Sequence, residues 1–216
     1  CPVFRMVEGS KPFVQQGGAA AIAGHVRDFV KSVDLISNKD REIVKTRYFD
    51  SSDKKKHVEI NRFGLPVDHK VKIDVNAYDV VIVADFGHGF CNNLEINDGF
   101  HLMTQTNSNN FGFNRMSKWK SRRKKSVTLD QREASLQMNR PIDGGIDKDV
   151  HELFNYEINS EHLFMTLGSS GSVYSNGLKN IRQKSFASQI VDTIGAGDTY
   201  YSFCCLLAHS EPEIKD

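Results

Sequence analysis

The string Gly195-Ala196-Gly197-Asp198, followed by the apolar stretch TYYSFCCLLAH, holds the residues best suited to chemistry in this chain. Glycine and alanine leave room for an anion to approach backbone N–H groups, and a helix start adds partial positive charge there. Together these features describe a cradle for a phosphoryl group. A carboxylate in the same turn would repel that phosphate unless it serves the phosphoryl acceptor. An Asp with an ordinary pKa of about 3.9 is ionised at neutral pH, so Asp198 can take a proton from an attacking hydroxyl. The structural alternative is a glycine-rich helix start whose Asp complements the helix dipole.

Such a turn needs a scaffold, and the apolar runs predict which one. DVVIVADFG is a continuous apolar run that suits a strand buried on both faces, and FHLMTQT, SVTLD and EHLFMTLG have the same look. Helices are expected between them, over Asn110 to Trp119, QREASLQM and DVHELFNYEI. Alternation of this kind implies an α/β fold around a mainly parallel sheet, with ligands at the carboxyl ends of its strands. IVKTRYFD and HVEINRF, separated by the charged SSDKKK, read as a hairpin over residues 43–63, and Asn176-Gly177 marks a second hairpin in SVYSNGLKNIRQ.

Composition narrows the function. The 28 basic residues barely exceed the 27 acidic ones, so the basic excess expected of a nucleic-acid partner is missing. The run KWKSRRKKS has a single neighbouring aromatic, Trp119, and reads as a solvated helix end. No apolar run approaches the roughly 20 residues of a membrane span. Cys1, Cys91, Cys204 and Cys205 form no CxxC pair, so neither a disulfide framework nor a zinc site is expected and a reducing cytoplasm is the expected compartment. Cys204 and Cys205 read as core.

With its flanks, DTIGAGDT resembles the DTxGAGD motif of the ribokinase (PfkB) family of carbohydrate kinases, and other segments follow in that family's order. QQGGAAAIAG resembles the GGAANVA motif, with Gly17 and Gly18 matching and Ala21 in place of Asn. LDQREA stands where the family has NxxE, so Asp130 replaces Asn and Glu133 is retained; MTLGSSGSV resembles TxGxxG through Thr166, Gly168 and Gly171. CPVFRMVE is similar to the APVPVVxVE lead-in of a heptose-phosphate kinase branch, and VADFGHGF to its SDYxKG motif, with Asp85, Gly87 and Gly89 matching and His88 replacing Lys. TQTNSNNFGFN is similar to a stretch in a subgroup whose members are in part joined to a nucleotidyltransferase domain.

The resemblance implies a ribokinase-like three-layer sandwich with a small β lid, in which residues 1–216 form one domain, incomplete at both ends, and 43–63 belong to the lid. It implies an ATP-dependent kinase for a sugar or sugar phosphate, with Mg²⁺ as cofactor and a cytoplasmic location. Asp198 is then the catalytic base and the backbone of Gly195, Ala196 and Gly197 the anion hole. Gly17, Gly18 and Asp85 bind the sugar, while Asn107, Thr166, Gly168, Gly171 and Thr193 bind the nucleotide. Glu133 organises Mg²⁺ through water. Partners would be small molecules, with neither nucleic acid nor membrane, plus a second copy docked through the lid and a fused nucleotidyltransferase domain. Individual sites keep structural alternatives: a tight turn at Gly17-Gly18, a strand-end cap at Asp85, an Asx turn at Asn107, and a capping box at Asp130 and Glu133. The rival from another class is a non-catalytic sugar- or nucleotide-binding remnant; a nucleotidyltransferase is disfavoured because this sequence has no HxGH-type motif.

Overall fold

Each apolar run that ends in a polar residue becomes a strand, and these strands share one sheet. The computed structural model describes residues 9, 11–38, 43–50, 52, 56–64, 70–106, 114–142, 145–190, 193–211 and 214. In chain order the elements are α1 (Gly18–Val26), β1 (Ile43–Phe49), β2 (Lys56–Phe63), β3 (Val71–Ile73), β4 (Ile82–Asp85), β5 (Leu94–Ile96), β6 (Phe100–Thr104) and β7 (Lys124–Asp130). They continue with α2 (Gln131–Met138), α3 (Ile146–Glu152), β8 (Ser160–Thr166), β9 (Ser172–Ser175), β10 (Asn180–Gln183) and α4 (Ala196–Ser210).

The main sheet runs β10-β9-β8-β7-β6-β4, parallel from β4 through β8 and antiparallel beyond. Side chains alternate between its faces. Leu102, Val127, Leu163 and Met165 pack with Ala134 of α2 and Val150 of α3 on one face. On the other, Met103 packs with Ile22 of α1 and with Tyr201 and Cys205 of α4, and Phe164 packs with Cys204 and Ala208. Helices therefore cover both faces, as expected for a three-layer α/β sandwich. Tyr201, fully buried, donates its hydroxyl proton toward the Val83 and His101 carbonyls at 2.9 and 3.0 Å, fastening α4 across β4 and β6. Burial of one such ring contributes about 1.5–3 kcal/mol.

Register sets the functional edge. Asp85 lies opposite Thr104 and Asp130 opposite Thr166, so β4 ends level with β6, and β7 with β8, at the same edge of the sheet. The hairpin over 43–63 forms as expected, β1 against β2 in a separate two-stranded sheet, and β9–β10 turns at Gly177, whose φ of +83° suits glycine. The helix QREASLQM begins at a capping box between Asp130 and Glu133 and stops at Asn139, which adopts the left-handed conformation.

Three expectations need correction. β4 is fully buried on one face only: it is the sheet's edge strand among the described residues, with Val83 and Asp85 buried and Ile82 and Ala84 half-buried against α1 and α4. The helix expected from Asn110 to Trp119 is, in its described part, a single 3₁₀ turn over Met116–Trp119. Its two buried side chains, Met116 and Trp119, stand three apart, and a three-residue turn puts both on one face. KWKSRRKKS is accordingly no helix end. It leads from that turn into β7, where fully buried Lys124 donates to the Trp119 and Arg122 carbonyls at 2.8 and 2.7 Å. DVHELFNYEI is helical through α3 and closes in a π turn over Leu153–Glu157. Among the described residues no helix is long and apolar enough to cross a membrane.

Candidate active site

The amino end of α4 meets the carboxyl edge of the sheet, and both line an open cleft of about 2520 Å³. Gly195 takes a φ of +80° and caps the helix. The Ala196 N–H turns back to the Thr193 carbonyl at 3.2 Å, and the Thr199 N–H makes the first bond to Gly195 at 2.9 Å. First-turn N–H groups of a helix have no intrahelical acceptor. Of the backbone expected to form an anion hole, Ala196 is turned back to Thr193, while the Gly197 N–H, with that of Asp198, holds a first-turn position without an intrahelical acceptor.

Asp198 is half-buried, and its Oδ1 is fully buried with no hydrogen-bond partner among the described residues. Burial pushes its carboxyl above the ordinary range, while His25 and Lys45 pull the other way. His25, on α1, places Nε2 3.0 Å from the Thr199 hydroxyl oxygen. That hydroxyl spends its one proton on the Gly195 carbonyl at 3.0 Å, so His25 donates to it through Nε2–H. α1 is thereby locked to the turn that carries Asp198.

Gly17 and Gly18 open α1 on the cleft wall. A Cβ on Gly18 would stand 2.4 Å from Phe86, so this glycine lets α1 close on the residue after Asp85. Asp85 is buried, and each of its oxygens has a protein partner: Gly87 N–H on Oδ1 at 3.1 Å, and Trp119 Nε1 at 3.0 Å and Lys118 Nζ at 2.5 Å on Oδ2. Its carboxylate is thus held by three donors of the protein itself. Lys118 also donates to Asn114 Oδ1 at 2.7 Å, and Asn114 in turn donates to the Asp85 and Gln105 carbonyls.

Thr166, Gly168 and Thr193 line the same cleft. Gly171 does not. Its φ is +98°, and a Cβ there would stand 1.9 Å from the Gln183 carbonyl, so it serves the close approach of β9 to the end of β10. Asn107 lies outside the described residues. Glu133 accepts from the Thr106 and Asp130 N–H groups at 2.7 and 2.9 Å, and burial together with Asp130 raises its pKa. It borders a small cavity of about 60 Å³ shared with Gly197, Asp130 and Thr166.

No cluster of three or more His, Cys, Asp or Glu that could hold a metal occurs among the described residues. Mg²⁺ does not require one, since it keeps several waters and binds through one or two carboxylates plus substrate phosphates. The donor set fits such an ion: each Glu133 oxygen retains acceptor capacity for a metal-bound water.

Residues that sequence reasoning passed over complete the cleft. Ile43, Lys45 and Arg47 alternate along one face of β1 and line it. Arg47 and Lys56 bind Glu59 at 3.0 and 2.9 Å; these bonds hold its pKa down to about 2 despite burial. Period-two spacing in IVKTRYFD could have singled out Lys45; nothing in the sequence singles out His25.

The segment that carries this turn can be placed. Residues 125–203 match the family model of pfkB family carbohydrate kinases. The match runs from β7 into α4 and includes Glu133, Thr166, Gly168, Thr193 and Asp198. Over 59 residues the chain is 39% identical to an ATP-dependent 6-phosphofructokinase of Thermoanaerobacterium thermosaccharolyticum, covering 27% of this chain and 18% of that enzyme. Among solved structures, ribokinase of Arabidopsis thaliana with ribose and ATP aligns at a TM-score of 0.46 and 18% identity, over 74% of this chain and 56% of that one. Phosphofructokinase-2 of Escherichia coli with substrates and products aligns at 0.42 and 17%, over 54% and 36%. The chain thus spans under a fifth of the curated relative it matches.

Proposed function

We propose that this chain is an ATP-dependent carbohydrate kinase of the pfkB type, with Asp198 as its base. The observation that carries the reading is the Asp198 Oδ1 itself: buried, without a partner, at the first turn of α4, inside the segment that matches the family. An unpaired buried carboxylate oxygen is costly unless a ligand completes it. The ligand group that suits it is a sugar hydroxyl donating to the carboxylate. As the hydroxyl oxygen attacks the γ-phosphorus, the new O–P bond forms, the bond to the β-phosphate oxygen breaks, and the proton passes to Asp198. The N–H groups of Gly197 and Asp198 face the charge that builds on the phosphoryl oxygens.

Mg²⁺, when bound, supplies charge neutralisation between the ATP phosphates. Gly17, where a side chain would meet nothing, leaves the sugar access to the start of α1, which Gly18 lets close on Phe86, and Thr166, Gly168 and Thr193 flank the nucleotide. The β1–β2 hairpin is the lid that keeps water from the phosphoryl group. Its outer face exposes Tyr48 and Ile60, which suits a second copy docked lid to lid. A sugar phosphate of the heptose type is the finer reading of the acceptor, resting on the resemblance of CPVFRMVE and VADFGHGF; a fused nucleotidyltransferase domain and a cytoplasmic site belong to the same reading.

The test is ATP-dependent mass gain on a panel of hexoses, heptoses and their phosphates, with Asp198→Asn alongside. One phosphate gained on one sugar, and lost in the variant, supports the kinase and names its substrate. No gain from folded chain favours the non-catalytic binding remnant.

A further inference from the structure

The inner face of the hairpin carries more positive charge than its own carboxylate absorbs. Glu59 is shared by Arg47 and Lys56, whereas Lys45, half-buried on the same face, has neither a hydrogen bond nor an ion pair with any described residue. Lys45 pairs in register with Asn61 and lines the cleft between Ile43 and Arg47. The charged groups around it are Glu59, Arg47, Lys56 and, from α4, Asp198. Burial lowers the pKa of its ammonium, with Glu59 and Asp198 opposing that and Arg47 and Lys56 adding to it. Lys45 and Asp198 thus feel each other across the cleft without closing to an ion pair.

A partly desolvated ammonium left without a partner is costly, and an anion supplied by a ligand removes that cost. We infer that Lys45 is a receptor for a phosphoryl oxyanion bound between the hairpin and the first turn of α4. The inference rests on the kinase reading of Asp198. A lysine suits the task, because a compact point charge on a flexible stem follows phosphate oxygens without demanding one fixed orientation. The same chemistry has two sources, the terminal phosphoryl of ATP or a phosphate ester on the acceptor sugar.

The experiment measures binding by calorimetry to the full chain, its Lys45→Met and Lys45→Arg variants, with AMP-PNP, ADP, and inorganic phosphate titrated onto the ADP-bound protein as probes. A loss of about tenfold or more in Lys45→Met for AMP-PNP with ADP unchanged assigns Lys45 to the transferred phosphoryl. An equal loss for inorganic phosphate, with AMP-PNP and ADP unchanged, assigns it to the sugar-phosphate position. In either case Lys45→Arg recovers most of the affinity, which separates loss of charge from damage to the hairpin. Unchanged affinity for all three probes, or an equal loss for ADP and AMP-PNP, overturns the inference while the base assignment stands. Asp198→Asn retaining turnover overturns the base assignment while these affinities still decide the role of Lys45. Wild-type protein that binds none of the probes overturns both.

Discussion

Replacing Lys118 with Met removes the ammonium that stands 2.5 Å from Asp85 and leaves a carboxylate whose side chain is 2% exposed. Breaking a buried pair from one side costs about 3–5 kcal/mol, because the surviving charge stays desolvated. Two factors moderate that figure here. Lys118 is itself 32% exposed, and Asp85 keeps the Trp119 and Gly87 donors. The expected loss is therefore about 2–3 kcal/mol, which for a chain of this size lowers the melting temperature by about 4–12 °C. Lys118→Met also breaks the bond to Asn114 Oδ1, so the single variant overstates the pair. A double-mutant cycle with Asp85→Asn removes that excess, and the coupling should be about 1.5–3 kcal/mol. Coupling below about 0.5 kcal/mol, as for an exposed ion pair, would refute the view that Asp85 is held in place by the cation of the turn before β7.

Other expectations follow from the same contacts. Asp198→Asn should abolish phosphoryl transfer while leaving ATP affinity within about twofold, since the loss is confined to the proton acceptor; direct binding and turnover assays separate the two effects. Because burial raises the Asp198 carboxyl, turnover should fall on the acid side at a higher pH than an ordinary Asp would give, and a pH profile of the rate checks it. Gly171→Ala places a Cβ against the Gln183 carbonyl at a positive φ and should cost more than about 1 kcal/mol by urea denaturation, whereas Gly17→Ala meets nothing within 4 Å and should leave stability nearly unchanged. His101 is held neutral by burial, its pKa pushed down to about 3, beside Ser126 Oγ at 2.7 Å. A depressed histidine stabilises the fold fully above about 6.5 and loses that stabilisation as pH falls toward 3; unfolding midpoints across this window should flatten in His101→Gln.

What could be read from the sequence was whatever depends on neighbours along the chain. Short continuous apolar runs located β6, β7 and β8, the Asp130–Glu133 spacing located the start of α2, and Asn176-Gly177 located the β9–β10 turn, because each of these is decided within a few residues. The glycines around Asp198 were legible for the same reason. Asp85 shows where that logic ends. Its motif neighbours suggested a sugar contact, and nothing in that local string announces Lys118, which the 3₁₀ turn before β7 brings to its carboxylate. The same holds for His25, 174 residues from its partner Thr199, and for Lys45, whose relation to Asp198 exists only because the hairpin folds over the cleft. Local spacing could single out Asp198 as the candidate base. It could not assign the groups that set its field, since those arrive from α1 and from the hairpin only when the sheet has formed. The electrostatics of this site are thus a property of topology, and substitutions in segments outside the family match should alter the chemistry of Asp198 as surely as changes beside it.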